Sequence, residues 1–182
     1  MGSKRGFTII EIALVMVILG VFAAHALFKY QKTIAFNELE KSANRAYLDL
    51  RALRAQAFKW DTLVITKFYS DSFATWIDTN GSASCDQNDI RTVTRFPASV
   101  GIGLPADPPT RGPYGQSLSS STGTRGDWAD SLTVFADSRG EYCHGEVYLY
   151  SKKIPKTTYC IGITHAMQSI EFYRWDGSWR KL

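Results

Sequence analysis

The chain has 182 residues, 45% of them hydrophobic and 13% aromatic, with a formal net charge of +4. That balance is globular rather than disordered, and so mild a charge argues only weakly for a nucleic-acid binder. The three cysteines, Cys85, Cys143 and Cys160, form no C-x-x-C pair, which speaks against a zinc site.

The first feature is a short basic leader, Lys4-Arg5-Gly6, followed by an apolar run from Phe7 to about Phe28. One carboxylate, Glu11, lies near the start of the run. A charge at the centre of a membrane helix costs about 2.5–3.5 kcal/mol, and less near the interface. Something must compensate for it. Two ordinary readings of the run compete. A secretory signal peptide would use Lys4 and Arg5 as its basic end and Ala24-His25-Ala26 as a cleavage-like triplet. A plain single-pass anchor would need only the length. An acid inside the apolar core argues against the first, and neither gives that acid a purpose.

A helical period continues past the run. Phe36, Leu39, Ala43, Ala46, Leu50, Leu53 and Ala57 recur at spacings of three and four, with polar residues on the other faces. No Pro or Gly interrupts from Val21 to Trp60. Residues 7 to about 59 are therefore predicted to form one helix of about 80 Å at 1.5 Å per residue. Its first half is apolar all round and its second half amphipathic. Such a helix needs lipid or other helices at one end and a sheet at the other.

The remainder reads as β. Thr62–Tyr69 and Phe73–Asp78 are strand-like, with Ser70-Asp71-Ser72 as the turn and Asp78-Thr79-Asn80-Gly81 closing the second. Ile90–Arg95, Val100–Leu104 and Leu132–Ala136 follow as short strands. Val147–Tyr150 and Thr157–Thr164 are expected to form a hairpin around Lys152-Lys153-Ile154-Pro155. Ile170–Trp175 is the last strand, and Asp176-Gly177-Ser178 turns the chain into Trp179. Pro105 to Asp130, dense in Pro, Gly, Ser and Thr, reads as a surface loop. The fold class is α+β: one long N-terminal helix packed on a β-rich C-terminal head of antiparallel strands.

The N-terminus resembles the type IV prepilin signal. Gly6, Phe7, Thr8, Glu11 and Gly20 all fall where pilins have them, while Phe28 stands where many pilins carry Pro. The resemblance implies cleavage between Gly6 and Phe7 by prepilin peptidase and N-methylation of Phe7. It implies that Glu11 of one subunit pairs with the free α-amine of its neighbour's Phe7 and sets the axial register of a filament. Residues 1–6 are then the leader and 7–29 the transmembrane and filament-core helix. Residues 30–182 form the periplasmic domain, with a helix over 30–60 and a head over 61–182. Farther along, YLDLRALRAQA (Tyr47–Ala57), the unit ending Trp76-Ile77-Asp78-Thr79-Asn80-Gly81, LTVFADSRG (Leu132–Gly140) and Tyr173-Arg174-Trp175-Asp176-Gly177 are similar to the GspH/FimT group of minor pseudopilins and minor pilins.

Other constellations are weaker. Asp78, Asn80, Asp86 and Asp89 form an oxygen-rich cluster, but the spacing is not that of an EF-hand and no Glu closes it, so a plain turn is the better reading. His25, His144 and His165 are scattered, and Ser119-Ser120-Ser121 has no partner His nearby in sequence. No catalytic set is legible, so the chain is not expected to be an enzyme, nor to hold a metal or cofactor. In an oxidising compartment one disulfide is plausible, joining Cys143 to Cys160 or to Cys85. If Lys153 and Ile154 centre the hairpin, Cys160 faces Val147 and Cys143 faces Thr164, and a direct pair needs a bulge.

Lys152, Lys153, Lys156, Arg174, Arg180 and Lys181 tint the C-terminal part basic, with Tyr148, Tyr150, Tyr173, Trp175 and Trp179 interleaved. Phosphate contacts plus stacking could bind nucleic acid there. The competing reading is a solvated hairpin whose aromatics pack on the long helix. DNA-binding members of the resembling group carry Gly-Arg-x-Arg before the last strand. Here that stretch is Gln168-Ser169-Ile170-Glu171, which favours the packed reading.

The resemblance therefore implies a structural minor subunit of a type II secretion pseudopilus or type IV pilus, at or near the tip. The alternative is a DNA-uptake minor pilin that binds double-stranded DNA. Expected partners are other pilin or pseudopilin subunits, prepilin peptidase and the inner membrane, with nucleic acid disfavoured. The expected location is the inner membrane, single-pass, with a periplasmic C-terminal domain.

Overall fold

The computed structural model describes residues 8–82, 85–118, 124–126, 133–137, 145–164 and 169–182. The chain divides into two compact units, Met1–Ile34 and Ala35–Leu182. Helix α1 (Ile9–Trp60, 52 residues) supplies the described part of the first unit and the first element of the second. It passes Phe28 without interruption, as expected of a stretch with no Pro. In the first unit every residue from Ile9 to Ile34 is exposed, including the large apolar side chains.

In the second unit α1 buries one face: Ala35, Leu39, Ser42, Ala43, Ala46, Leu50, Leu53 and Ala57. This is the periodic stripe with one change at its start. Ala35, one turn before Leu39, is buried where Phe36 was expected, and Phe36 is half-buried at the flank. The Ser42 hydroxyl, inside the stripe, donates to the Glu38 carbonyl at 2.7 Å, so its burial leaves no unpaired donor. The helix ends in a Schellman arrangement. Thr62 N–H donates to the Ala57 carbonyl at 3.2 Å and Asp61 N–H to the Phe58 carbonyl at 3.4 Å. That places Asp61 in the left-handed region, with φ of 49°.

The strands are β1 (Val64–Phe68), β2 (Ser72–Ile77), β3 (Ile90–Arg95), β4 (Val100–Ile102), β5 (Thr124–Gly126), β6 (Thr133–Ala136), β7 (Gly145–Ser151), β8 (Thr158–Thr164), β9 (Ser169–Trp175) and β10 (Trp179–Lys181). They form a four-stranded sheet, β3-β2-β1-β6, and a six-stranded sheet, β10-β9-β8-β7-β4, with β5 also pairing β7. Every pairing is antiparallel. The α+β reading therefore holds. Two short strands, β5 and β10, were not expected, and both owe their order to a neighbour rather than to their own residues.

The main core lies between α1 and one face of the sheets. Leu39, Leu50 and Leu53 meet Val64, Phe68, Phe73, Val100, Val147, Leu149, Tyr159, Ile161 and Phe172. Each such side chain contributes about 1.5–3 kcal/mol by leaving water. The rings of Tyr47, Phe172 and Tyr159 stack in series at 5.0 and 5.3 Å. Between β1 and β2 the Thr66 and Thr75 hydroxyls pair at 2.9 Å.

The β7–β8 hairpin differs by one residue from the expected register. Tyr148, not Val147, faces Cys160, and Tyr150 faces Thr158. The connection contains two consecutive turns. Ile154 N–H donates to the Ser151 carbonyl at 3.3 Å and Thr157 N–H to the Ile154 carbonyl at 3.4 Å. Ile154 is thus the single central residue, and the odd loop shifts the ladder by one.

A second, smaller core lies on the opposite face of the six-stranded sheet. Leu104, Tyr148 and Cys160 are buried there with Leu118, Tyr173 and Trp179 against them. Of the aromatics expected to pack on α1, Tyr148, Tyr173 and Trp179 lie instead on this opposite face. Alternation along β8 and β9 gives the helix side to Tyr159 and Phe172, which the expectation did not include. The covering layer is the segment from Leu104 to Leu118, part of the stretch that reads as a surface loop. It is pinned by Arg111 pairing with Ser117 and by Trp179 Nε1, which donates to the Arg111 carbonyl at 2.7 Å.

Candidate processing and assembly site

Gly6 and Phe7, the expected cleavage and methylation residues, lie outside the described residues. The next residue opens a reciprocal cap. Thr8 N–H donates to Glu11 Oε2 at 2.8 Å, and the Thr8 hydroxyl donates to the same oxygen at 2.9 Å. Glu11 N–H donates back to Thr8 Oγ1 at 3.3 Å. Ile12 N–H to the Thr8 carbonyl, 3.2 Å, then closes the first turn. This is a capping box: two N–H groups that a helix start leaves unpaired are satisfied by each other's side chains. The negative carboxylate also sits at the positive end of the helix dipole.

The sequence reading assigned Glu11 an intersubunit role and passed over this local one. The signal was present, since Thr-x-x-Glu before an apolar run is the capping pattern. Both Thr8 donors use Oε2. The carboxylate thus satisfies the helix end through one oxygen.

The remaining apolar part of α1 is long and apolar enough to cross a membrane, by length and composition. Gly20 lies in open space, with nothing near the position a side chain would take.

In the head, the oxygen-rich loop spends its oxygens on its own backbone. Asp78 Oδ1 accepts the N–H of Asn80, Gly81 and Ser82 at 3.3, 2.8 and 3.2 Å. Asp89 accepts Thr79 N–H and Asp86 N–H at 3.2 and 3.0 Å. Asp86 accepts the Asn80 side-chain amide at 2.7 Å and Asn88 N–H at 2.8 Å, and these bonds hold its carboxyl below the usual carboxylate range. Oxygens engaged this way describe a set of Asx turns.

Of the cysteines, Cys143 lies outside the described residues, so both expected pairings fall there. Cys160 is a fully buried thiol, and burial pushes it well up from its ordinary value. Cys85 is half-buried, and burial raises its thiol too.

The basic groups expected near the C-terminus separate into two sets. Arg174 and Arg180 both pair with Asp176, at 3.0 and 3.5 Å, and Lys181 pairs with Glu171. Glu171, at the end of the stretch where DNA-binding members have arginine, also accepts the hydroxyls of Tyr114 at 3.0 Å and Tyr173 at 2.8 Å. The Lys181 ammonium and these two hydroxyls hold its carboxyl below the ordinary value. Lys152, Lys153 and Lys156 are exposed at the β7–β8 turn and make no ion pair among the described residues.

The Leu104–Leu118 segment meets a second polar cluster. Gln116 Nε2 donates to Glu146 Oε2 at 2.6 Å and to the Tyr148 hydroxyl at 3.1 Å, while that hydroxyl donates to Glu146. Burial, with Cys160 and Glu146 close by, pushes the Tyr148 hydroxyl upward. These groups anchor the segment.

A family model described as the prokaryotic N-terminal methylation motif matches residues 1–24. No curated protein matches the chain. Among solved structures, the chain is similar to the minor pseudopilin EpsH from the type 2 secretion system of Vibrio cholerae. One structure of it has 13% identity and a TM-score of 0.47, covering 80% of this chain and 96% of that one. A crystal structure of the same protein has 12% identity and a TM-score of 0.48, covering 75% and 93%. It is the first 24 residues that identify the chain, as one carrying the prokaryotic N-terminal methylation motif expected of a type IV prepilin-like protein.

Proposed function

We propose that this chain is a structural minor pilin or pseudopilin subunit of a type II secretion pseudopilus or type IV pilus. Prepilin peptidase cuts between Gly6 and Phe7 and Phe7 is N-methylated. Residues 7–29 hold the subunit in the inner membrane with residues 30–182 in the periplasm. Assembly draws the apolar helix out of lipid into a bundle of like helices, at or near the filament tip. There Glu11 meets the α-amine of a neighbour's Phe7, since a carboxylate in an apolar bundle needs a cation.

The observation that carries this reading is the coincidence of the methylation motif with a helix that is apolar and exposed over its first half and buried along one face over its second. Mass spectrometry of the mature protein tests it. A chain beginning at methylated Phe7 is expected; Met1 retained, or a start near Leu27, would overturn it. The role is architectural rather than catalytic. DNA uptake remains the second reading, and Glu171 with its Lys181 partner weighs against it.

A further inference from the structure

Among the described residues, three lysines at one turn make no ion pair while Arg174, Arg180 and Lys181 find carboxylates, and their place in the head says what they face. The β7–β8 turn lies at the end of the head where α1 enters it. Lys152 N–H donates to the Ser99 carbonyl at 2.8 Å, and the Ser99 hydroxyl donates to Glu38 Oε2. Glu38 stands one turn after Ala35, the first residue of the second unit.

The same end collects interfacial residue types. Thr158 faces Trp175 in the ladder, which brings the β9–β10 turn beside the β7–β8 turn. Trp175, half-buried, lies 5.4 Å from Trp179. Tyr69, 41% exposed, precedes the β1–β2 turn, whose Ser70 and Asp71 carbonyls accept Ile102 N–H and Phe96 N–H. Of the acids there, Asp176 pairs with Arg174 and Arg180, Asp71 accepts the Ser72 hydroxyl and Glu38 accepts the Ser99 hydroxyl, while burial and the nearby Glu40 push the Tyr159 hydroxyl upward.

We propose that the β7–β8 turn, through Lys152, Lys153 and Lys156, is a contact for an anionic phospholipid surface. The inference rests on the membrane-anchored reading above. Ala35 follows Phe28 by seven residues, a helical rise of about 10 Å, so this end of the head is tethered near the lipid headgroups by covalent connection alone. Free charges at that range act within a Debye length of about 8 Å, and long lysine side chains shorten the gap. Trp and Tyr beside lysine is the composition that settles at a headgroup layer. The contact steadies the head over the bilayer before the helix is extracted, and it breaks when the subunit leaves the membrane.

The test uses the full chain reconstituted in vesicles of phosphatidylcholine alone or with phosphatidylglycerol added. A water-soluble, membrane-impermeant acetylating reagent labels lysines, and mass spectrometry reads each rate. Lys59, exposed at the far end of α1, is the internal reference. In the anionic vesicles Lys152, Lys153 and Lys156 are expected to react about three- to sevenfold more slowly relative to Lys59, the change in local proton activity that an anionic leaflet's potential produces. High salt should remove the difference. Equal relative rates in both vesicles would overturn the proposal, as would equal slowing by short duplex DNA in neutral vesicles. A chain that does not float with the vesicles would overturn the membrane-anchored reading as well; one that floats without the difference overturns only the lipid contact.

Discussion

Thr8 and Glu11 cap each other: the N–H and hydroxyl of Thr8 both bond Glu11 Oε2, and Glu11 N–H bonds Thr8 Oγ1. The acid that looks out of place in an apolar run therefore has a local function in the single chain. It closes the start of the helix backbone, where Thr8 precedes Ile9. A cap of this kind stabilises a helix start by about 0.5–2 kcal/mol. Any filament role for Glu11 is added to that one.

The two roles separate by substitution. Glu11→Ala is expected to insert into membranes more favourably, since a charge costing up to about 2.5–3.5 kcal/mol is removed, yet to assemble poorly. Glu11→Gln keeps an acceptor for Thr8 N–H while losing the charge. Sheared-filament yield should fall for both. Normal yield from Glu11→Gln would mean that the cap alone matters and the ion pair does not.

The core stripe of α1 makes a sharper stability prediction than its exposed face. Leu50 is 1% exposed and Leu48 is 57% exposed, two positions apart. Leu50→Ala should cost about 2–5 kcal/mol through lost burial and the cavity left behind. Leu48→Ala should stay within about 0.5 kcal/mol in the isolated subunit. Thermal melts of the two variants in detergent read the contrast.

Tyr114 docks on the six-stranded sheet where Gly162 leaves room. A Cβ at Gly162 would lie 2.4 Å from the Tyr114 hydroxyl and 2.9 Å from its ring. Gly162→Ala is expected to displace Tyr114 and break its bond to Glu171, at a cost of about 0.5–1.5 kcal/mol. Tyr114→Phe removes the same bond. The double variant should therefore cost less than the sum of the two single ones, and a double-mutant cycle by denaturant unfolding checks this.

Glu171 gives a pH dependence with a definite sign. Lys181, Tyr173 and Tyr114 all face it, and its carboxyl sits below the ordinary glutamate value. The stability it contributes is present above that ordinary value, about 4.3, and is lost as pH falls through the lower folded value. Wild type should thus lead Glu171→Gln in Tm near neutrality and converge on it below about pH 4. A constant gap down to pH 2 would show that packing, not charge, sets the difference.

Much of the fold was legible because its signals are local. The helix is written in an apolar run followed by an amphipathic period, with no Pro between Ile9 and Trp60, and its stop at Asp61 comes close to the sequence estimate. Strands β1 to β4 and β6 to β9 match the expected runs within two residues at either end. What failed was relational. The β7–β8 register depended on whether the turn has an odd or an even centre, and Lys153-Ile154 looked as good a centre as Ile154 alone. Strand β10 has three residues and exists because β9 offers an edge.

The apolar run, Glu11 four residues after Phe7, the amphipathic stripe and the β-rich remainder are properties of the sequence by itself, because hydrophobic periodicity and charge in an apolar run need no partner to be read. Only the tertiary structure decided that Tyr148, Tyr173 and Trp179 turn away from α1 under the Leu104–Leu118 segment. It likewise decided that Arg174, Arg180 and Lys181 are spent on Asp176 and Glu171, while Lys152, Lys153 and Lys156 make no ion pair among the described residues. The physical reason is the same in each case. Which face a strand residue takes, and which carboxylate a cation finds, follow from contacts between residues far apart in the chain, and those distances are set by folding rather than by spacing.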